Sequence, residues 1–230
     1  MSAEFDKFSK DYENLVTDSV RTSFGGGGSE FFHTRKIELL LRFLKRRNIQ
    51  PSQISWLDVG CGQGELLKLG SGHFRERCGC DPSVGMLSAA SNGIEVRTQT
   101  AATKIPFDSS TFDLVTAVCV YHHVLPEDRA ELTSEVRRVL KPGGMFVMIE
   151  HNPLNPVTKL VVSRVPLDKE AQLLSARTAR YLTSAAGLKP FLTEYFLYFP
   201  KSIYAKLGPL ENMLGWLPLG GQYASYAFKQ

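Results

Sequence analysis

Apolar residues in this chain come as short unbroken blocks, and the stretches between them carry apolar residues at helical spacing. Residues 54–59, 112–120 and 145–149 are nearly continuous apolar runs, the pattern of parallel strands covered on both faces. Shorter strands are predicted at residues 77–81 and 94–98, and a last pair at 191–199 and 223–228. Between the runs, Ile37, Leu40, Leu41 and Leu44 fall at i, i+3, i+4 and i+7, which predicts an amphipathic helix with Ser29 as its cap. Leu132, Val136, Val139 and Leu140 predict a second such helix. Residues 176–186, preceded by Ser175 and followed by Gly187, predict a third. Alternating strands and helices imply an α/β domain with a largely parallel sheet.

The first run ends in glycines at alternate positions, Asp58-Val-Gly-Cys-Gly-Gln-Gly64, and a helix-competent segment, residues 65–69, follows. Strand, glycine turn and helix start are the parts of a nucleotide-cradling loop, because glycine adopts φ > 0 and lets the backbone approach a ligand. The spacing narrows the ligand. A dinucleotide fingerprint G-x-G-x-x-G counted from Gly60 needs its third glycine at position 65, which is Glu65. A phosphate-binding loop needs Lys-Ser/Thr after its last glycine, where this chain has Glu65-Leu66. An acid at the helix start would also repel a pyrophosphate. The loop suits a nucleoside without phosphates.

Asp58-Val-Gly-Cys-Gly-Gln-Gly64 resembles motif I of the class I S-adenosylmethionine-dependent methyltransferases. Further matches follow in order: Asp81 at the end of the second strand, Ile105-Pro-Phe107, Phe112-Asp-Leu-Val115, His122-His123 and Lys141-Pro-Gly-Gly144. The resemblance covers residues 56–150. It implies a Rossmann-like three-layer αβα sandwich with a seven-stranded, mostly parallel sheet of order 3-2-1-4-5-7-6, strand 7 antiparallel. It further implies S-adenosylmethionine as cofactor, S-adenosylhomocysteine as product and a small-molecule or lipid-linked acceptor. The cofactor residues so implied are Asp58, Gly60, Cys61, Gly62, Gly64, Asp81, Pro82, Met86, Thr100, Ala101, Ala102 and Cys119. Asp81, 17 residues after Gly64, would accept both ribose hydroxyls, although its Asp-Pro step also suits a turn or helix cap. Thr100 stands where the family has an acid near the adenine amino group, so weaker cofactor binding is expected.

Strand C-termini are the ligand-binding edge of such a sheet. His122, His123 and His151 are accordingly the candidate catalytic residues, and Tyr12, His123, His151 and Asn152 the candidate substrate contacts. The polar cluster Glu150-His-Asn152, followed by two Asn-Pro steps, fits either turn formation or substrate contact. Residues 4–22 carry Phe5, Phe8 and Tyr12 at roughly helical spacing, either a packed surface helix or a lid over the cofactor. The tetraglycine at positions 25–28 reads as a linker or hinge. The domain reading is therefore a lid and hinge over residues 1–28 and one methyltransferase domain over 29–230. That domain has a cofactor half (54–150) and a substrate half (151–230), with an insertion at about 200–221. The insertion reads as an extra packed helix or as an apolar wall for the substrate.

Bulk properties fit a soluble, cytoplasmic protein: 43% hydrophobic and 22% charged residues over 230. A net charge of +4 with no clustering on one predicted face argues against a nucleic-acid partner. The basic residues 42 and 45–47 read as a solvated helix end. Residues 177–230 carry six Lys/Arg against two Glu, a local +4 that favours at most weak contact with an anionic membrane. No apolar run reaches the ~20 residues of a membrane span. The four cysteines form no C-x-x-C pair, so buried thiols and no metal are expected. An NAD(P)-dependent oxidoreductase and a non-catalytic S-adenosyl-binding protein are the rival functional readings; the oligomeric state is left open.

Overall fold

A computed structural model describes residues 18–90 and 93–230. Two helices open the described chain, α1 (Ser19–Gly25) and α2 (Glu30–Arg46). There follow β1 (Ser55–Val59), α3 (Glu65–Leu69), β2 (Glu76–Asp81), α4 (Val84–Leu87), β3 (Glu95–Thr98) and β4 (Phe112–Val118). The second half runs α5 (Arg129–Val139), β5 (Leu140–His151), α6 (Pro156–Arg164), α7 (Ala176–Ala185), β6 (Leu188–Phe196), α8 (Lys201–Leu214) and β7 (Gln222–Lys229). The strands form one seven-stranded sheet in the order β3-β2-β1-β4-β5-β7-β6. β7 pairs antiparallel with both β5 and β6, and the other pairings are parallel. The topology is the one expected.

The continuous apolar runs are explained by burial on both faces. From β1, β4 and β5 one set of alternate residues (Leu57, Val59, Val115, Ala117, Phe146, Met148) packs with Leu132, Val136 and Val139 of α5 and Ala179 and Leu182 of α7. The opposite set (Trp56, Leu114, Met145, Val147, Ile149) packs with Leu39, Leu40, Phe43 and Leu44 of α2 and Leu66 and Leu67 of α3. A strand covered on both sides has no polar face to alternate with. Buried Trp56 also needs a partner for its indole N–H, and Thr116 Oγ accepts it at 2.8 Å.

Three expectations change, and one segment takes a definite geometry. The basic end of α2 is not simply solvated: Arg42 and Arg46 pair with Glu194 on β6, and Arg47 lies over the rings of Phe191 and Phe228. Ser29 occupies the cap position of α2 but makes no side-chain cap hydrogen bond, because it is buried with helical φ/ψ. Strand β6 begins three residues earlier than its apolar pattern suggested. The tetraglycine is a tight turn between two packed helices, with Gly26, Gly27 and Gly28 all at positive φ and Phe24 stacked on Phe32. The 200–221 stretch does contain an extra helix. α8 is tied to α2 by a buried Arg35–Glu211 pair at 2.7 Å, with Arg35 also 3.8 Å over the Tyr204 ring.

Candidate active site

The C-terminal ends of β1, β2, β4 and β5 open onto one cavity of about 410 Å³, roofed by α1, α2 and α6. At one end sits the glycine loop. Gly60 takes φ 69, and a Cβ there would lie 2.5 Å from the Val120 side chain, so the turn packs against the residue leaving β4 with no room for a side chain. Gly62, at φ 54, has nothing within 4 Å of where its Cβ would be, leaving a smooth cradle facing the cavity. Asp81 ties this loop down. Its Oδ2 accepts from Gly62 N at 2.9 Å and its Oδ1 from Ser83 N at 2.8 Å. Its carboxylate lines the cavity beside the cradle. Asp58 is buried below, accepting from Thr116 Oγ at 2.5 Å. Burial, with Asp81 adding to it, pushes its pKa up to about 7 against the opposing pull of Thr116 and Lys36.

The other end of the cavity is a cluster of histidines on charged supports. A single turn of 3₁₀ helix, Tyr121–His123, follows β4 and carries two of them, and His151 ends β5. The ring of His122 lies 4.1 Å from that of His123 and 5.1 Å from that of His151, centroid to centroid. Glu150, fully buried, holds the turn: Oε1 accepts from the N–H groups of Val120 (2.9 Å) and Tyr121 (2.7 Å), and Oε2 lies 2.6 Å from His122 Nδ1. Burial opposes the charge of both partners, but their mutual attraction outweighs it. Glu150 is held below the usual carboxylate range and His122 above the usual imidazole range. His123 goes the other way, pushed down to about 4 by burial and by the neighbouring His122.

Between the two ends lies Cys119, in a left-handed conformation (φ 57) that a side chain with a Cβ seldom adopts. Leu197, also on the cavity wall, is at φ 62. Such strain persists only where surrounding structure enforces it, and it concentrates at ligand sites. Burial alone would push the Cys119 thiol up. Lys36 (Nζ 3.8 Å from Sγ) and His151 outweigh it and bring the pKa down to about 7. The other three cysteines are buried thiols with raised pKa values.

Of the residues expected at the site, Asp58, Gly60, Cys61, Gly62, Asp81, Pro82, Met86, Ala102, Cys119, His122, His123 and His151 line this one cavity. Thr100 and Ala101 do not: both are exposed, and Gln99 faces the wall instead, held by its amide to the carbonyls of Ala102 (3.4 Å) and Lys104 (3.0 Å). Gly64 is buried away from the cavity as the cap of α3, against Ile94 and Ala90. Asn152 is likewise turned from the substrate space. Its amide donates to Pro218 O and Gly220 O and its oxygen accepts from Leu154 N, so the turn reading of that residue replaces substrate contact. Tyr12 lies outside the described residues, although Val20, Arg21 and Phe24 just after that segment reach the cavity wall. Sequence reasoning missed His33, Lys36, Gln99, Asp168 and Gln222, and read Glu150 only as part of a polar cluster fitting turn formation or substrate contact. Only Glu150, beside His151 at the end of an apolar strand, carried a local signal. Two polar atoms of lining residues, His33 Nδ1 and Gln222 Oε1, have no hydrogen-bond partner among the described residues, as expected of a site shaped for a ligand.

Residues 57–148 match the family described as methyltransferase domain. An uncharacterized methyltransferase from Synechocystis is 33% identical over 132 residues, covering 56% of this chain and 58% of that protein. Demethylmenaquinone methyltransferase of Symbiobacterium thermophilum is 31% identical over 157 residues, 64% of this chain and 57% of that one. The chain thus spans little more than half the length of these two curated relatives. Among solved structures, a SAM-dependent methyltransferase from Thermotoga maritima superposes over the full length of both chains with a TM-score of 0.70 at 18% identity, a likeness of fold. Sheet order, loop and domain match agree: residues 57–148 match a methyltransferase domain, and the fold is the one seen in S-adenosylmethionine-dependent methyltransferases of known structure.

Proposed function

We propose that the protein transfers the methyl group of S-adenosylmethionine to an acceptor with an apolar body and one polar group, held beside the histidines. The observation that carries this reading is the two-ended cavity: a glycine cradle with a ribose-competent carboxylate at one end, and a polar cluster at the other. The residues fit the cofactor. Gly62 leaves room for a nucleoside, Asp81 sets a carboxylate on the cavity wall beside it, and the acidic pair Asp58 and Asp81 suits a ligand that is cationic at sulfur and nitrogen. Bound there, S-adenosylmethionine supplies an electrophilic methyl group. The protein's task is then chiefly to hold a nucleophile in line, and positioning of this kind is worth roughly 7–11 kcal/mol. His151 is the side chain in reach of the acceptor to take its proton, a role worth about 10²–10⁴-fold for an oxygen nucleophile.

The acceptor class follows from the wall opposite the cradle. Val157, Val161, Val165, Leu167 and Leu197 line it, and Val157, Leu154 and Leu160 continue the apolar surface outside. One relative is named demethylmenaquinone methyltransferase, and a quinone acceptor is compatible with this wall. The +4 of residues 177–230 is compatible with a lipid-linked acceptor met at an anionic surface. Among the described residues no helix is long and apolar enough to cross a membrane.

Calorimetry with S-adenosylmethionine tests the cofactor half of the reading: one site is expected, lost in Asp81→Ala. Methyl-labelled cofactor incubated with a lipid extract and with a polar metabolite extract tests the acceptor half. Label confined to the polar extract overturns the apolar acceptor. Tight NADH binding in place of S-adenosylmethionine would restore the oxidoreductase reading, and cofactor binding without transfer to either extract the non-catalytic one.

A further inference from the structure

The histidine end of the cavity contains an arrangement that methyl transfer does not require. Nε2 of His122, Nε2 of His123 and a carboxylate oxygen of Asp168 all lie within 4.8 Å of one another, brought together from two turns 45 residues apart in the chain. Asp168 Oδ1 is 3.6 Å from His122 Nε2 and 3.4 Å from His123 Nε2. A charge-assisted hydrogen bond would draw such atoms to about 2.7–2.9 Å. Two ligands bonded at about 2.0–2.1 Å to one tetrahedral ion stand roughly 3.3–3.4 Å apart. The Asp168–His123 spacing matches that of co-ligands, and the Asp168–His122 spacing lies slightly beyond it. We propose that His122, His123 and Asp168 form a site for one divalent transition-metal ion of the zinc type, at the floor of the cavity.

The supports of these side chains are those a metal site needs. A ligating histidine commonly gives its second ring nitrogen to a carboxylate, which fixes tautomer and orientation. Glu150 Oε2 lies 2.6 Å from His122 Nδ1, and Glu150 is itself pinned by two backbone N–H groups. The turn bearing Asp168 is fastened to the histidine turn: Gln172 N donates to His122 O at 2.8 Å, and Arg129 bridges Val124 O (3.0 Å) and Gln172 O (2.7 Å). Two imidazoles and one carboxylate favour zinc, cobalt or iron(II) over magnesium or calcium, which prefer all-oxygen sets. All three ligands line the cavity, so the fourth position faces the acceptor space and takes water or a donor atom of the acceptor. This site stands independently of methyl transfer, and its test uses no S-adenosyl ligand.

The test is titration of chelator-treated full-length protein with Co²⁺, read by visible absorption, and with Zn²⁺, read by calorimetry. One equivalent should bind at micromolar Kd or tighter, with the ligand-field bands of four- or five-coordinate cobalt and no thiolate charge-transfer band. His123→Gln and Asp168→Asn, both at half-buried positions, should each weaken binding at least tenfold while melting within a few degrees of the parent. Absence of binding, or binding unchanged in the double variant, overturns the site. So does a thiolate band in the parent, which would move the ion to the other donor group in reach of one, Glu76, Cys78 and Glu95. That spectral readout decides the matter even if the variants fold poorly.

Discussion

The two ends of the cavity are built in different ways. The end proposed for the cofactor is made almost entirely by one continuous stretch, from Asp58 in β1 to Met86 in α4, and its key contact, Gly62 N to Asp81 Oδ2, spans 19 residues. The histidine end is assembled from β4, β5, α2 and the turn at Asp168, and its contacts join residues 28 positions apart for His122–Glu150 and 83 for Lys36–Cys119. A site written in one stretch can be recognised by spacing alone. A site gathered from four elements can only be recognised once the sheet has been closed.

If that division is real, variants at the two ends should fail differently. Asp81→Ala should do the most damage, lowering S-adenosylmethionine affinity by more than about hundredfold, out of calorimetric range, since two hydrogen bonds to a charged acceptor are worth about 1.5–3 kcal/mol each. Turnover at saturating cofactor should change far less, and equal losses in both would break the comparison. His151→Ala should show the reverse, a fall of about tenfold or more in turnover with cofactor affinity unchanged. Unaltered turnover would remove His151 from the mechanism.

Two smaller effects sharpen the boundary between the ends. Cys119, with its pKa brought down to about 7, should be the cysteine alkylated first, its rate rising with pH through about 7 as the thiolate forms. Lys36→Met removes the largest single influence lowering it, so the profile should move to higher pH, with labelling at pH 7 several-fold slower. Peptide mapping that finds Cys61, Cys78 or Cys80 labelled first would contradict the burial assigned to them. Asp58 gives the smallest effect. Its carboxyl is raised to about 7, so it is protonated in the lower range and gains its charge as pH rises. A cationic ligand favours the charged form, and S-adenosylmethionine affinity should therefore climb a few-fold from pH 6 to 8. Asp58→Asn should flatten that slope, and a slope that persists in the variant assigns it elsewhere.

Particular residues show where sequence reading reaches its limit. Gly60, Gly62 and Asp81 announce themselves because glycine and Asp-Pro have few other uses at that spacing. Asn152 misleads because it stands between His151 and a proline at the ligand edge. The same position lets its amide hold the 216–221 turn, and the backbone wins it. Thr100 misleads by one residue: the chain after β3 turns so that Gln99, not Thr100, faces inward. Lys36 gave no signal, since a lysine within an amphipathic helix is ordinarily a solvated one, yet α2 lies across the cavity mouth and buries it.

What the sequence by itself determined is the sheet and its cradle. Strands covered on both faces are forced to be apolar runs, and a turn at positive φ is forced to be glycine, so both constraints are local and visible in the residues. What only the tertiary structure decided is the company each polar residue keeps. Glu150 beneath His122, Asp168 between two imidazoles and Lys36 against Cys119 are contacts between distant segments. Their charges and distances exist only after the hydrophobic faces of β4, β5 and α2 have packed, because electrostatic effects of this size require water to have been excluded from around them.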